Sequence, residues 1–167
     1  MSEATEITIA APPLAPNGSE LRAYRSLVRA QASLSRQLDA ELERTHGLAL
    51  SSFEALQLLD EQPDGRMRMR DLAEELQISR SGLTRLVDRL EREGLIERCS
   101  CDHDARGSYA CLTETGRTRL EEARGTHLAV VREHFLSHFS ESELDMLADM
   151  WERIAPCGAG VGAPAGC

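Results

Sequence analysis

The sequence predicts a mainly α-helical fold with a small β-hairpin, and three features of the chain indicate this class. Of its 167 residues, 41% are hydrophobic but only 4% are aromatic, a composition that favours helices. Apolar residues recur at steps of three and four towards both ends, which is the period of amphipathic helices. Between these ends, residues 69–116 have the order of two short helices and a hairpin with a charged tip. That order is typical of a winged helix-turn-helix.

The first part of the chain is predicted to contain an arm and a long helix. Residues 1–19 are rich in proline and have no sustained periodicity, so we predict a flexible arm. From Ser19, one apolar stripe predicts a helix that ends at His46 and Gly47. The next helix is predicted from Ser51 and Glu54, which have the spacing of a capping box. The stripe of the long helix consists of Leu21, Tyr24, Leu27, Val28, Leu34, Leu38 and Leu42.

Two short helices with a tight turn between them follow. The first is predicted near Arg70 to Leu76, and residues 77–79 form a turn of the length that a helix-turn-helix needs. Ser79 is an N-cap residue for the second helix, and Gly94 ends it. This second helix is expected to bury Leu83, Leu86, Val87 and Leu90, and to expose Arg80, Ser81, Thr84, Arg85 and Arg89.

The last third of the chain predicts a wing and two helices. Strands over Leu95–Cys101 and Ser108–Leu112 are joined by the polar residues 102–107. Thr113 caps a long helix, and Ser140 with Glu143 forms a second capping box. We therefore predict a winged unit over 49–112, a helical dimerisation region over 20–48 and 113–155, and a flexible tail over 156–167.

The distribution of charge indicates DNA as the partner, although the chain as a whole is acidic. The net charge is −9, and all nineteen basic residues are arginine. Between Arg66 and Arg89, six arginines stand against four acidic residues, so the predicted helix-turn-helix is locally positive. Net charge controls solubility and steering, whereas a local basic stripe supplies contacts to phosphates.

These residues resemble the MarR family of bacterial transcriptional regulators over roughly residues 20–154. The resemblance is most specific in ISRSGLTRLVDRLEREGLIER and in the wing sequence DARG followed by a strand and LTETG. It implies a homodimer whose first and last helices intertwine, and many family members are repressors released by small molecules or oxidants. Ser79 to Arg85 and Arg89 match the family's recognition helix, while Asp104 and Arg106 match its wing.

The resemblance and the residues together predict a set of DNA contacts. We expect Arg85 to reach a base edge, Arg89 to meet phosphate and Arg106 to enter the minor groove. Ala105 stands where family wings commonly carry a second arginine, so one groove contact is expected to be absent. The predicted contact set is Ser79, Arg80, Ser81, Gly82, Thr84, Arg85, Arg89, Asp104, Arg106, Gly107 and Ser108.

The chain is accordingly expected to be a cytoplasmic, nucleoid-associated homodimer that binds a pseudo-palindromic operator, as a repressor relieved by a small-molecule effector. By the resemblance alone, the effector is expected near Tyr24, His46 and Phe53.

The N-terminus does not look like a secretory signal, and no apolar run reaches the length of a membrane span. No nucleotide-binding glycine loop or nucleophile motif occurs, so neither an enzyme nor a cofactor is expected.

Cysteines in the predicted wing leave an alternative open. Cys99, Cys101, His103 and Cys111 are residue types that bind zinc or form a redox pair, and Cys111 could fall opposite Cys99. Their spacing is not that of a familiar zinc site, so no metal is predicted. A thiol- or metal-responsive regulator is the first alternative. A dimeric interaction protein without DNA binding is the second, and the acidic net charge is its main support.

Overall fold

The computed structural model describes residues 17–101 and 104–154, and the side chains of residues 100–107 lie outside this description. The predicted mainly helical fold with a wing is confirmed. The elements are α1 (Gly18–His46), α2 (Leu50–Asp60), β1 (Arg66–Arg68), α3 (Met69–Glu75), α4 (Arg80–Arg92), β2 (Ile96–Cys101), β3 (Asp104–Leu112), α5 (Glu114–His134), a 3₁₀ turn (Leu136–His138) and α6 (Glu141–Glu152).

The chain divides into two compact units, Met1–Ser33 and Leu34–Cys167, and the division falls within α1. In the first unit, Asn17 caps the helix: its Oδ1 accepts from the backbone N–H groups of Ser19 and Glu20 at 3.0 Å. The Glu20 carboxylate accepts from the Asn17 N–H at 2.7 Å, which completes a capping box. Residues 18 and 19 are therefore helical, while residues 1–16 of the predicted arm lie outside the described residues.

The second unit contains the hydrophobic core, to which the helices and the sheet all contribute. Phe53 and Leu56 of α2 are 1% and 0% exposed, and Leu120 of α5 is fully buried. The four apolar residues that the sequence predicts on the inner face of α4 are all buried, as the helical period requires. Other core residues include Leu42, Leu48, Leu59, Met67, Leu72, Leu95, Ile96 and Ala110.

The start of α2 differs from the prediction, because no capping box forms at Ser51. The helix begins at Leu50, and its N-cap residue is Ala49, which lies two residues before the predicted cap and has no side chain that could cap. Asp39 of α1 supplies the missing acceptor, since its Oδ1 accepts from the Leu50 N–H at 2.8 Å. A hydrogen bond between residues that are eleven positions apart thus replaces the local capping box.

The sheet has three antiparallel strands in the order β1-β3-β2, so the short extended segment before α3 joins the wing as a strand. β3 begins at Asp104 and not at Ser108, because its pairing with β2 continues with a register shift into the predicted loop. Strand pairing uses backbone groups, so polar side chains do not end it. Cys111 is the Cα partner of Glu97, and Cys99 is the partner of Tyr109. The expectation that the two cysteines stand directly opposite is therefore wrong.

The start of α5 contacts the beginning of the wing closely. Thr113 caps the helix, with its hydroxyl accepting from the Gly116 N–H at 3.0 Å and lying 2.7 Å from the Gly94 carbonyl. A Cβ at Gly116 would clash with the carbonyl group of Leu95, so this position requires glycine. Thr113 and Gly116 together fix α5 to the segment that connects α4 to β2.

The capping box at Ser140 and Glu143 is confirmed at the start of α6. The apolar residues at the end of α6 are exposed in the described part of the chain. Trp151 is 39% exposed and Ile154 is 71% exposed, whereas Leu144 and Leu147 are half-buried.

Among the described residues, no helix has the length and apolar character needed to cross a bilayer. The predicted tail over 156–167 lies outside the described residues.

Candidate nucleic-acid interface

The N-terminus of α4 is open to solvent and has a side-chain cap. The Ser79 hydroxyl accepts from the Gly82 N–H at 3.1 Å and lies 3.1 Å from the Ser81 hydroxyl. Ser79, Arg80 and Ser81 are exposed. The free N–H groups of a first helical turn carry a partial positive charge, which favours contact with an anion such as a phosphate.

Two exposed arginines follow this cap, and the acidic residues of the same helix do not neutralise them. Arg80 and Arg85 have no ion pair with any residue in the described part of the chain. Asp88 and Glu91 of α4 both pair with Arg98 of β2 instead. The pKa of the Arg98 guanidinium is raised above its ordinary value, first by the hydrogen bond to Asp88. The start of α4 therefore keeps its positive charge.

Arg89 has a different environment from the other two arginines of this face. Its Nη2 donates to the Ser52 hydroxyl of α2 at 2.7 Å, and Ser52 is 2% exposed. The Arg89 side chain is half-buried. Its guanidinium thus links α4 to α2, and its role as a phosphate contact stays a prediction.

Thr84 and Gly82 complete the predicted contacts on the helix. The Thr84 hydroxyl is exposed and donates to the Arg80 carbonyl at 2.9 Å, which leaves its oxygen able to accept a further bond. Gly82 is half-buried, and a Cβ added there would lie 3.2 Å from the Ser79 hydroxyl oxygen. A larger residue at Gly82 would therefore press on the capping group.

A cavity of about 370 Å³ brings several of these residues together with others. Arg80 and Thr84 of α4 meet Ser108 of β3 at its wall, as the predicted contact set requires. Arg68 and Arg70 also line it, and these two were not among the predicted contacts. The positive local charge of residues 66–89 was the only sequence signal for them. The remaining lining residues are Met69 and Leu83.

The tip of the wing is only partly described. Ser108 is exposed and is the Cα partner of Ser100 in the β2–β3 ladder. The backbone of Asp104, Arg106 and Gly107 lies in β3, whereas their side chains are outside the described residues. The predicted contact of Arg106 with a minor groove therefore stays a prediction.

Comparison with known proteins identifies the family. A sequence profile of the MarR family matches residues 46–107, from the last residue of α1 to the wing. The crystal structure of Sco3205, a MarR family transcriptional regulator from Streptomyces coelicolor in complex with DNA, superposes with a TM-score of 0.80. The sequences are 30% identical, and the match covers 86% of this chain and 90% of that one. The chain belongs to the MarR family.

Two Bacillus subtilis (strain 168) proteins are also similar to this MarR family member. The HTH-type transcriptional regulator MhqR is 28% identical over 134 residues, which cover 80% of this chain and 90% of MhqR. The HTH-type transcriptional repressor YetL is 30% identical over 112 residues, 65% of this chain and 67% of YetL. Members of the MarR family are transcriptional regulators, so this chain is a regulator and not an enzyme.

In this MarR family member, two of the four candidate metal ligands are joined to each other. Cys99 and Cys111 form a disulfide, while the side chains of Cys101 and His103 lie outside the described residues. Within residues 17–101 and 104–154, no group of three or more histidine, cysteine, aspartate or glutamate side chains could hold a metal ion.

Two of the predicted effector residues, His46 and Phe53, lie in the second unit and contact side chains of α5. Phe53 is 1% exposed, and its ring stacks on that of His127 with the centroids 4.6 Å apart. His46 lies 2.8 Å from the Thr126 hydroxyl through Nε2. Burial lowers the pKa of His127, because the charged imidazolium loses hydration there. Tyr24 belongs to the first unit, where it is 66% exposed.

Proposed function

We propose that this MarR family protein is a homodimeric, sequence-specific repressor that binds a pseudo-palindromic operator. The main support for this proposal is that the N-terminus of α4 is exposed and positively charged. Arg80 and Arg85 are exposed beside a capped helix N-terminus, and Arg98 holds the acidic residues that could have neutralised them. The likeness to Sco3205, which was solved in complex with DNA, supports the same partner.

On DNA, the first turns of α4 enter the major groove, as in other helix-turn-helix proteins. Arg85 donates two hydrogen bonds to a guanine edge, which is the commonest specific contact that arginine makes. Arg68, Arg70 and Arg80 surround the cavity at the start of α4 and bind phosphates on either side of the groove. Arg106 of the wing enters the adjacent minor groove. A narrower minor groove has a more negative potential and attracts the guanidinium more strongly, so this contact depends on groove width.

A second copy of the chain covers the apolar residues that the terminal helices leave exposed. On α6, Met146 is 55% exposed, and Trp151 and Ile154 continue the same apolar character. In the first unit, Tyr24 and Val28 are exposed on α1. Large exposed apolar patches mark interfaces. A twofold dimer presents two α4 helices to half-sites about one helical turn, roughly 10 base pairs, apart.

We also propose that a small-molecule effector relieves repression. In the second unit, His46 and Phe53 contact Thr126 and His127 of α5. A ligand that replaces the contact of His46 would shift α5 relative to the end of α1, and one that replaces the contact of Phe53 would shift α5 relative to α2. Either shift would change the spacing of the two recognition helices. Tyr24, the third residue that the family resemblance indicates, belongs to the first unit and stays a separate prediction. YetL is a transcriptional repressor, and its similarity favours repression over activation for this chain. Because a DNA-binding regulator acts where the DNA is, we propose that the protein is cytoplasmic and nucleoid-associated.

The test is selection of bound fragments from sheared genomic DNA of the source organism by the full-length protein. We expect enriched fragments that share an inverted repeat with half-sites about 10 base pairs apart. Enrichment of fragments with no common repeat would contradict sequence-specific binding. Recovery of no DNA at all would favour the alternative of an interaction protein, which the net charge of −9 supports.

A further inference from the structure

The disulfide between Cys99 of β2 and Cys111 of β3 joins the two strands of the wing. The Cα atoms of the two cysteines are 6.3 Å apart, within the range that a disulfide spans. The direct partner of Cys99 is Tyr109, so the bond connects diagonal positions on the same face of the sheet. Both cysteines are half-buried, and a small reagent can therefore reach them from solvent.

The neighbours of the disulfide are charged and include two arginines. Arg66 of β1 is the Cα partner of Cys111, and Glu97 is its partner on the other side. The guanidinium groups of Arg66 and Arg68 lie 5.8 Å and 5.3 Å from the centre of the Tyr109 ring on this face. Thiolates are the species that attack disulfide bonds.

The position of the bond ties it to the predicted DNA contacts of the wing. The two cysteines are 12 residues apart in the chain, and the segment between them contains Asp104, Arg106, Gly107 and Ser108. A cross-link restricts the conformations of the loop that it closes. An ordered wing loses less conformational freedom when it binds DNA, so the cross-linked form is expected to bind more tightly.

We propose that Cys99 and Cys111 form a reversible thiol–disulfide exchange site for low-molecular-weight disulfides of the glutathione class, and that the oxidised wing binds the operator more tightly. The proposal rests on the proposed DNA-binding function, to which it adds a chemical input. It also selects the thiol alternative over the metal alternative for these cysteines.

The exchange proceeds in two balanced steps. The thiolate of one cysteine attacks a sulfur of oxidised glutathione, forms a mixed disulfide and releases one glutathione thiolate. The thiolate of the second cysteine then attacks the protein sulfur of that mixed disulfide and releases the second glutathione thiolate. The two cysteines are oxidised, one glutathione disulfide is reduced to two thiols, and the two protons pass from the cysteines to the glutathione.

The experiment uses the full-length protein with Cys101, Cys157 and Cys167 replaced by serine, so that only the proposed pair remains. The protein is equilibrated in mixtures of reduced and oxidised glutathione, its free thiols are alkylated, and peptides are identified by mass spectrometry. We expect Cys99 and Cys111 to lose alkylation together. The binding isotherm of the same samples on an operator fragment should show affinity about threefold to tenfold higher in the oxidised form.

The control adds Cys99→Ser and Cys111→Ser, with circular dichroism to verify the fold, and its affinity should not respond to glutathione. A mixed disulfide that persists at one cysteine would overturn the exchange site. Equal or lower affinity of the oxidised form would overturn the effect on the wing. If the pair exchanges but neither form binds DNA specifically, the regulator proposal fails, and the effect on affinity fails with it.

Discussion

Arg85 and Arg89 lie four residues apart on α4, but their surroundings give them different roles. Arg85 is exposed, and the acidic residues closest in sequence, Asp88 and Glu91, are held by Arg98. The guanidinium of Arg89 is bonded to a buried hydroxyl on α2. At the scale of single residues, DNA recognition therefore depends on which arginines are not already bonded to neighbouring side chains.

Replacing Arg85 with alanine should weaken binding to the operator more than binding to unrelated DNA. A bidentate contact to a base is worth about 1–3 kcal/mol of discrimination, so the specific affinity should fall by about fivefold to more than a hundredfold. Binding isotherms on operator and competitor DNA measure both affinities. Arg92→Ala is a matched control, because Arg92 is an exposed arginine in the last turn of the same helix. An equal loss of affinity for operator and competitor DNA would show that Arg85 contacts phosphate and not a base.

His127 should make the stability of the protein fall as the pH becomes acidic. Burial lowers its pKa in the folded state, so the unfolded chain binds the proton first when the pH falls below about 6.5. The contribution of His127 is fully present above that pH and is lost as the pH falls towards the folded pKa. Urea unfolding at pH 7.5 and 5.5 should show a smaller decrease for His127→Phe than for the wild type.

His138→Phe removes an exposed histidine and serves as the control, since it should leave the pH dependence of the wild type intact. An identical decrease in His127→Phe and the wild type would show that His127 does not contribute. Direct titration of the His127 imidazole by NMR gives an independent reading of its pKa.

At the scale of elements, Arg98 connects the wing to the recognition helix. It lies on β2 and pairs with Asp88 and Glu91 of α4, so one guanidinium fixes the position of the hairpin against the helix. It also neutralises both acidic side chains of α4. Neither effect requires Arg98 itself to contact DNA.

The substitution Arg98→Met should lower the affinity for operator DNA while the fold persists. Methionine keeps much of the aliphatic length but leaves Asp88 and Glu91 without their partner, and two free carboxylates repel phosphate. Isotherms at low and high salt should show the largest difference at low salt, because salt screens exposed charges. The triple variant with Asp88→Asn and Glu91→Gln should recover affinity, and failure to recover it would contradict the electrostatic explanation.

Local sequence patterns predicted the elements well, and contacts between distant residues account for the differences. Ser79, Thr113 and Ser140 cap helices as predicted, because a cap and its partner lie within three residues. The start of α2 was missed because Asp39, eleven residues away, supplies the acceptor. The extended β3 and the pairing of Arg98 also depend on contacts that no local pattern encodes.

The positions of the predicted contact residues follow partly from the local pattern and partly from the tertiary structure, and their contacts with DNA stay predictions. Exposure of Arg80 and Arg85 followed from the helical period, because residues opposite the apolar stripe face solvent. Arg68 of β1 and Arg70 of α3 were not predicted as contacts, since only the tertiary structure brings them to the same cavity as the start of α4. The bond from Arg89 to Ser52, 37 residues apart, likewise required the tertiary structure.

At the scale of the whole molecule, the proposed function requires two copies of the chain. A single recognition helix reads few base pairs, whereas a dimer on a pseudo-palindrome combines two half-sites. Apolar residues of α6 that lack cover within their own chain supply a surface for this association. The dimer therefore links the terminal helices to operator affinity.

The double substitution Trp151→Asp and Ile154→Asp should convert a dimer into a monomer. These residues are 39% and 71% exposed, so the core of the chain is preserved while two charges enter the proposed interface. Sedimentation equilibrium should give half the mass of the wild type, and operator affinity should fall because both half-sites are no longer bound together. Arg153→Ala on the same segment is the control, and an unchanged mass in the double variant would contradict this interface.

The central claim is that the arginines at the start of α4 bind a specific operator. Its most direct test is the binding isotherm of the wild-type protein on a selected operator fragment, at 50 mM and 200 mM salt, with excess competitor DNA. We expect binding that resists competitor and weakens with salt by about a thousandfold or more if six or more phosphates are contacted. Binding that competitor abolishes, or that salt does not change, would contradict it.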